Sequence, residues 1–113
     1  MADPVWLAPE ILDGSPYDEA VDVYALGVIM WELLTRKQPF VEFGYEFSYQ
    51  LEDAIRKGAR PSLPICEGGP RSLVHVEFAA LLQRCWIRNP LERPRSKEVA
   101  ELLSKHLDLL DAL

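Results

Sequence analysis

Few residues in this sequence have the types and spacing of a catalytic or metal-binding centre. The sulfur and imidazole groups that could bind zinc belong to Cys66, His75, Cys85 and His106. Their spacings match no zinc-binding pattern. The sequence also has no G-x-G-x-x-G or G-x-x-x-x-G-K loop, the patterns that hold phosphate groups. We therefore predict that these residues bind no metal ion, and that Cys85 is a core residue on the apolar face of a helix.

The negative charge of the chain argues against two classes of binding partner. The sequence has 18 acidic and 12 basic residues, which gives a net charge of −6, and the basic residues are scattered. An acidic chain without a basic cluster is a poor match for nucleic acid or an anionic membrane, so we expect neither as a partner. Two cysteines cannot form a disulfide framework, and we therefore expect a reducing, cytoplasmic location.

Helical periodicity dominates the chain between proline- and glycine-rich segments. The patterns predict four helices, over about Asp18–Arg36, Glu46–Lys57, Leu73–Ile87 and from Ser96 onward. We expect Ser96 to be the N-cap of the last helix, because serine is a favoured capping residue. No segment has the pattern of a strand. The sequence therefore predicts an all-α fold, with residues 1–113 as one unit.

The first predicted helix contains an unbroken apolar or small run from Val23 to Trp31. A bilayer-spanning helix needs about 20 apolar residues, so this run is too short to cross a membrane. A helix of a water-soluble protein that is apolar on every side is buried on every side. We therefore expect other protein elements to surround it.

Three motifs stand in a fixed order along the chain: PVWLAPEIL (4–12), DVYALGVIMWELLT (22–35) and CWIRNPLERPR (85–95). Together they resemble the lower half of the C-terminal lobe of a eukaryotic protein kinase, from its Ala-Pro-Glu motif to its last helix. The resemblance covers essentially the whole chain. It implies a partial protein kinase domain over residues 1–113.

The resemblance implies a scaffold role for the first long helix. Asp22 would accept hydrogen bonds from backbone N–H groups of a catalytic loop. Ile29 and Leu33 would form the base of an apolar column that rises toward the adenine ring. On its residue type alone, Asp22 could simply favour the positive N-terminus of the helix, and Ile29 and Leu33 are expected core residues on either interpretation.

The resemblance also implies an ion pair and a substrate pocket. Glu10 would pair with Arg93 in a largely buried site, although two charged side chains are by default solvated at the surface. Leu7, together with Pro4 and Trp6, would shape the pocket for the substrate residue that follows the phosphoacceptor.

Two of the motifs help to distinguish serine/threonine kinases from tyrosine kinases. Pro4 precedes the aromatic Trp6 by two positions, as is common in serine/threonine kinases, and Cys85-Trp86 is common in tyrosine kinases and tyrosine-kinase-like enzymes. Together they favour the tyrosine-kinase-like serine/threonine group. Asp3 departs from the threonine that often occupies its position, and the segment EGGPRS (67–72) resembles an insertion.

The parts that perform phosphoryl transfer are missing from this sequence. It has no His-Arg-Asp and no Asp-Phe-Gly. Glu42-Phe43-Gly44 resembles the second motif but follows the Ala-Pro-Glu motif instead of preceding it, so we predict a loop with Phe43 packed inward. The resemblance implies ATP and Mg²⁺ for the parent kinase and no cofactor for this chain, which we predict to be inactive alone.

Two functions remain open on the sequence. The chain could be a kinase fragment that contributes the scaffold and substrate-docking half of the lobe. Alternatively it could be a non-catalytic interaction module, with its aromatic residues Phe40, Phe43, Tyr45, Phe47 and Tyr49 as the binding surface unless they form core. In both cases we expect a protein substrate or regulatory protein as partner. Because the long helix would otherwise be partly bare, we also expect either the missing kinase half or self-association to cover it.

Overall fold

The computed structural model describes residues 4–64 and 72–112, except for the side chains of residues 72 and 73. The described chain is all helical, which confirms the predicted fold class. Its helices are α1 (Pro9–Leu12), α2 (Ala20–Thr35), α3 (Ser48–Arg56), α4 (Ser72–Cys85) and α5 (Ser96–Asp111). Short 3₁₀ turns at Pro4–Trp6, Val41–Phe43 and Pro90–Glu92 connect them. The proposed insertion at 67–72 falls almost wholly outside the described residues.

The helix ends differ from the sequence predictions for identifiable reasons. α2 begins after Asp18, whose carboxylate accepts a hydrogen bond from the Ala20 backbone N–H at 2.9 Å. It ends at Thr35, and the next residue, Arg36, adopts a left-handed conformation (φ 57°) and donates its backbone N–H to the Glu32 carbonyl oxygen. The prediction that Ser96 caps α5 is wrong. Arg95 is the N-cap without a side-chain capping bond, and Ser96 is the first helical residue.

The core lies around α2 and its packing against α4. Val28 and Tyr24 on α2 and Leu82 on α4 are fully buried. The two helices approach closely at Gly27, where a Cβ would lie 2.8 Å from Cys85 Cβ and 3.0 Å from the Leu82 carbonyl oxygen. Glycine is therefore required at this crossing. Cys85 is buried there, as predicted, and burial raises the pKa of its thiol to about 11.

One face of α2 is not covered by the described part of the chain. Ile29 is 43% exposed and Leu33 70% exposed. The expectation that these two are core residues is therefore wrong for this chain as it stands, because no described element packs against their face of the helix. In residues 4–64 and 72–112, no helix has the length and apolar character needed to traverse a bilayer.

Candidate functional site

The structure brings Glu10 and Arg93 together although 83 positions separate them in the sequence. Arg93 Nη1 donates to Glu10 Oε2 at 2.7 Å and Nη2 donates to Oε1 at 2.8 Å. The Arg93 side chain is fully buried and that of Glu10 is 9% exposed. Burial by itself raises the pKa of Glu10, but the hydrogen bonds and charge of Arg93 outweigh this effect and lower the pKa below its usual value.

Arg93 also holds three chain segments in place. Its guanidinium donates to the carbonyl oxygens of Ile87 (2.8 Å), Ala20 (3.0 Å) and Arg88 (3.3 Å). These carbonyls belong to the start of α2 and to the segment after α4. One side chain therefore joins α1, α2 and the end of α4, which fixes the arrangement of the three sequence motifs relative to one another.

Two arginines contact the ring of Tyr24. Its ring centroid is 5.1 Å from the Arg60 guanidinium carbon and 5.2 Å from that of Arg93. Such cation–π contacts are strongest when they are desolvated, and Tyr24 is fully buried. No sequence pattern indicated a role for Arg60. Its side chain donates to the carbonyls of Trp86, Ile55 and Ala59, and so ties the end of α3 to the segment after α4.

The predicted substrate-pocket residues lie in one turn but have different environments. Pro4 is buried, Leu7 is partly buried and Trp6 is 39% exposed. Trp6 Nε1 donates to Glu32 Oε1 on α2 at 2.6 Å, a contact that the sequence analysis missed. This bond joins the turn to α2.

Asp22 lies on the exposed face of α2. Its side chain makes no hydrogen bond or ion pair with any residue of the described ranges 4–64 and 72–112. Asp22, Ile29 and Leu33 follow one another at intervals of seven and four residues and therefore share one side of α2. The structure thus groups the predicted anchor Asp22 with the predicted column residues Ile29 and Leu33.

The aromatic segment divides into a buried part and an exposed part. Phe40 is 4% exposed and contacts Phe43 edge to face, with the ring centroids 5.4 Å apart. Phe43 is partly buried, so Glu42-Phe43-Gly44 is a turn with an inward phenylalanine, as predicted. Tyr45, Phe47 and Tyr49 are 46%, 54% and 61% exposed.

A hollow of about 590 Å³ connects this aromatic segment to the N-terminal turn. Pro4 lines one side of it, and Phe40, Tyr45 and Phe47 line the other. Phe47 and Tyr49 stack with their ring centroids 5.7 Å apart beside it. Of the three predicted pocket residues, Pro4 borders this hollow, whereas Trp6 and Leu7 do not.

Comparison with known families identifies the chain. The protein kinase domain model matches residues 1–105. The chain belongs to the protein kinase domain family. Since it lacks the His-Arg-Asp and Asp-Phe-Gly motifs, it corresponds to a part of that domain.

Curated relatives include serine/threonine kinases. The chain is 41% identical over 100 residues to the probable serine/threonine-protein kinase roco5 of Dictyostelium discoideum, covering 83% of this chain and 3% of that protein. It is 40% identical over 103 residues to the cyclic GMP-binding protein C of the same organism, covering 90% and 4%. It is 34% identical over 99 residues to human mitogen-activated protein kinase kinase kinase 7, covering 88% and 15%. The chain therefore spans a small fraction of the length of these relatives.

Proposed function

We propose that this kinase-domain segment is the scaffold and substrate-docking part of the helical lobe of an enzyme that phosphorylates serine and threonine residues of proteins. The observation that carries the proposal is the kinase-family match over residues 1–105. The serine/threonine kinases among the relatives support the choice of acceptor residue. In this proposal the chain supplies no catalytic residue and is inactive alone, because it has none of the motifs that position a nucleotide.

The exposed face of α2 would join this segment to the rest of the kinase domain. Asp22 would accept hydrogen bonds from backbone N–H groups of the catalytic loop, and its carboxylate has no partner among the described residues. Ile29 and Leu33 would support the apolar column beneath the nucleotide. Their exposure of 43% and 70% supports this role, since large apolar side chains on one helix face gain stability when another element covers them.

Substrate contacts would come from the turn around Pro4, Trp6 and Leu7. The Trp6–Glu32 bond would hold this turn at a fixed distance from α2. The neighbouring hollow and the exposed rings of Phe47 and Tyr49 would add a docking surface for a protein substrate or regulator. Peptide recognition commonly combines a concave site with aromatic anchors.

The proposal extends to the cofactors, kinase group, location and partners of the parent protein. ATP and Mg²⁺ would bind to residues that this sequence does not contain. We place the parent in the tyrosine-kinase-like serine/threonine group, supported by Cys85-Trp86 and the spacing of Pro4 from Trp6. We place it in the cytoplasm, supported by the free thiol of Cys85, with neither nucleic acid nor membrane as a main partner, supported by the net charge of −6.

A chimera tests the scaffold role. Residues 4–105 would replace the matching segment of human mitogen-activated protein kinase kinase kinase 7, and phosphate transfer would be measured. We expect a folded chimera to be active, and Asp22→Asn to lower kcat by at least tenfold with little change in the melting temperature. Glu101→Gln, a substitution of an exposed carboxylate on α5 in the same grafted segment, is the matched control. Equal activity of the Asp22→Asn and control chimeras would refute the anchoring role.

A further inference from the structure

Three arginines line one hollow on a chain whose net charge is negative. Arg60, Arg84 and Arg88 border a hollow of about 420 Å³ beside the end of α4, with Trp86 and Ile87 as its apolar wall. No carboxylate lines this hollow within the part of the chain that the structure describes. We name it the arginine hollow. It shares no lining residue with the hollow at Pro4.

The arginine charges are only partly compensated. Arg84 Nη2 pairs with Glu98 Oε2 at 2.8 Å, and that pair is about half exposed. The Arg60 donors Nε and Nη1 bind carbonyl oxygens, whereas Nη2 has no partner among the described residues. The Arg88 side chain has no hydrogen bond or ion pair within residues 4–64 and 72–112. Donors on Arg60 and Arg88 therefore remain available.

The helix ends nearby do not remove the excess of positive charge. The C-termini of α3 and α4 each contribute about half a negative charge. Together with Glu98 they offset about two of the three arginine charges, so about one positive charge remains. Burial is the main effect that lowers the pKa of the Arg60 guanidinium; the charges of Arg93 and Arg88 also lower it, and Tyr24 and Glu10 act in the opposite direction.

We propose that the arginine hollow binds an anionic side chain of a peptide, with a phosphorylated serine or threonine as its preferred ligand. Guanidinium groups bind oxyanions through paired, charge-assisted hydrogen bonds. A phosphorylated side chain offers three acceptor oxygens and close to two negative charges, whereas a glutamate offers two oxygens and one charge. The apolar wall of Trp86 and Ile87 suits the aliphatic carbon atoms of the phosphorylated residue.

The arginine hollow would bind its ligand independently of the docking surface at Pro4. A phosphorylated segment of a partner or of the parent protein would be held at the far end of α4, through contacts with the segment that Arg60 and Arg93 also bind. The inference goes beyond the proposed kinase role, and its failure would leave that role unaffected.

The test is a titration of the full ¹⁵N-labelled chain with acetyl-Gly-Gly-phosphoserine-Gly-Gly-amide, followed by NMR. We expect shift changes centred on Gly58, Arg60, Arg84 and Arg88. The matching glutamate peptide should bind more weakly and the unmodified serine peptide should not bind. Inorganic phosphate should shift the same resonances, and raising the salt from 50 to 500 mM should weaken all binding.

Two variants test whether the phosphopeptide binds in the arginine hollow. Arg88→Gln removes an exposed side chain that holds nothing in the described fold, and we expect it to weaken phosphopeptide binding about tenfold, the loss of one charge-assisted contact. Arg95→Gln removes an exposed arginine outside the hollow, and we expect less than a twofold effect. Shifts elsewhere on the chain, equal effects of the two variants, or a glutamate peptide that binds as tightly as the phosphopeptide would overturn the proposal.

Discussion

The buried pair of Glu10 and Arg93 makes a quantitative prediction about stability. Removing one partner of a buried pair leaves an uncompensated charge and typically costs about 3–5 kcal/mol. Glu10→Ala leaves Arg93 with three carbonyl acceptors, so we expect a loss near 3 kcal/mol. Arg93→Ala also deprives those carbonyls of their donor, so we expect a loss near 5 kcal/mol.

The double variant separates a true pair from two independent charges. Once Arg93 is absent, Glu10 has no cation to bind, so Glu10→Ala should cost little more. We expect the double variant to lose about 5 kcal/mol, which is a coupling energy near 3 kcal/mol. Urea unfolding of the full chain, followed by circular dichroism, measures all four free energies. Sucrose in every sample would keep the weaker variants folded, since it favours the compact state.

The exposed pair of Arg84 and Glu98 is the matched control. Both side chains are nearly half exposed, and such pairs contribute at most about 1 kcal/mol. Their cycle should therefore show a coupling energy below about 1 kcal/mol. If the Glu10–Arg93 cycle is additive within error, the pair does not hold the three motifs together and the reasoning is wrong.

Four further outcomes follow from the same structure. Folding lowers the pKa of Glu10 from 4.5. The pair should therefore stabilise the chain above about pH 4.5, and this stabilisation should be lost as the pH falls through the folded-state pKa. Glu10→Gln should flatten this part of the stability–pH profile. Gly27→Ala should destabilise the chain by about 1–3 kcal/mol in urea unfolding, because its Cβ would collide with α4. Tyr24→Phe should cost less than about 0.5 kcal/mol, since the hydroxyl has no partner in the described ranges, whereas Tyr24→Leu should cost 2 kcal/mol or more through lost packing and cation–π contacts. Leu33→Glu should reduce concentration-dependent self-association in sedimentation velocity with little loss of stability, because Leu33 is 70% exposed; equal association of the variant and the unmodified chain would show that another surface is responsible.

Periodicity and proline placement were sufficient to find the long helices. α2, α4 and α5 carry apolar residues at helical spacing, and prolines interrupt the chain between them. Their ends depended on contacts that no local pattern contains. Ser96 resembles a capping residue, but the chain enters α5 through Arg95 in an extended conformation, so the serine is one position too late.

In the candidate site too, local sequence patterns did not predict the contacts between distant residues. Nothing in local spacing brings Glu10 to Arg93, and only the resemblance to kinases predicted their contact. Arg60 and Glu32 were missed because their partners are a backbone carbonyl at Trp86 and an indole at Trp6, both of them 26 residues away. Such contacts depend on how helices are packed, which a single sequence does not state.

The most direct test of the account is phosphoamino acid analysis of a substrate treated with the chimera that carries residues 4–105. We predict phosphoserine and phosphothreonine in the product, with none formed when the same chain is incubated alone with ATP and Mg²⁺. A folded chimera that produces phosphotyrosine or no phosphoamino acid, or transfer by the chain alone, would contradict the claim that this segment is the scaffold and docking part of a serine/threonine kinase domain.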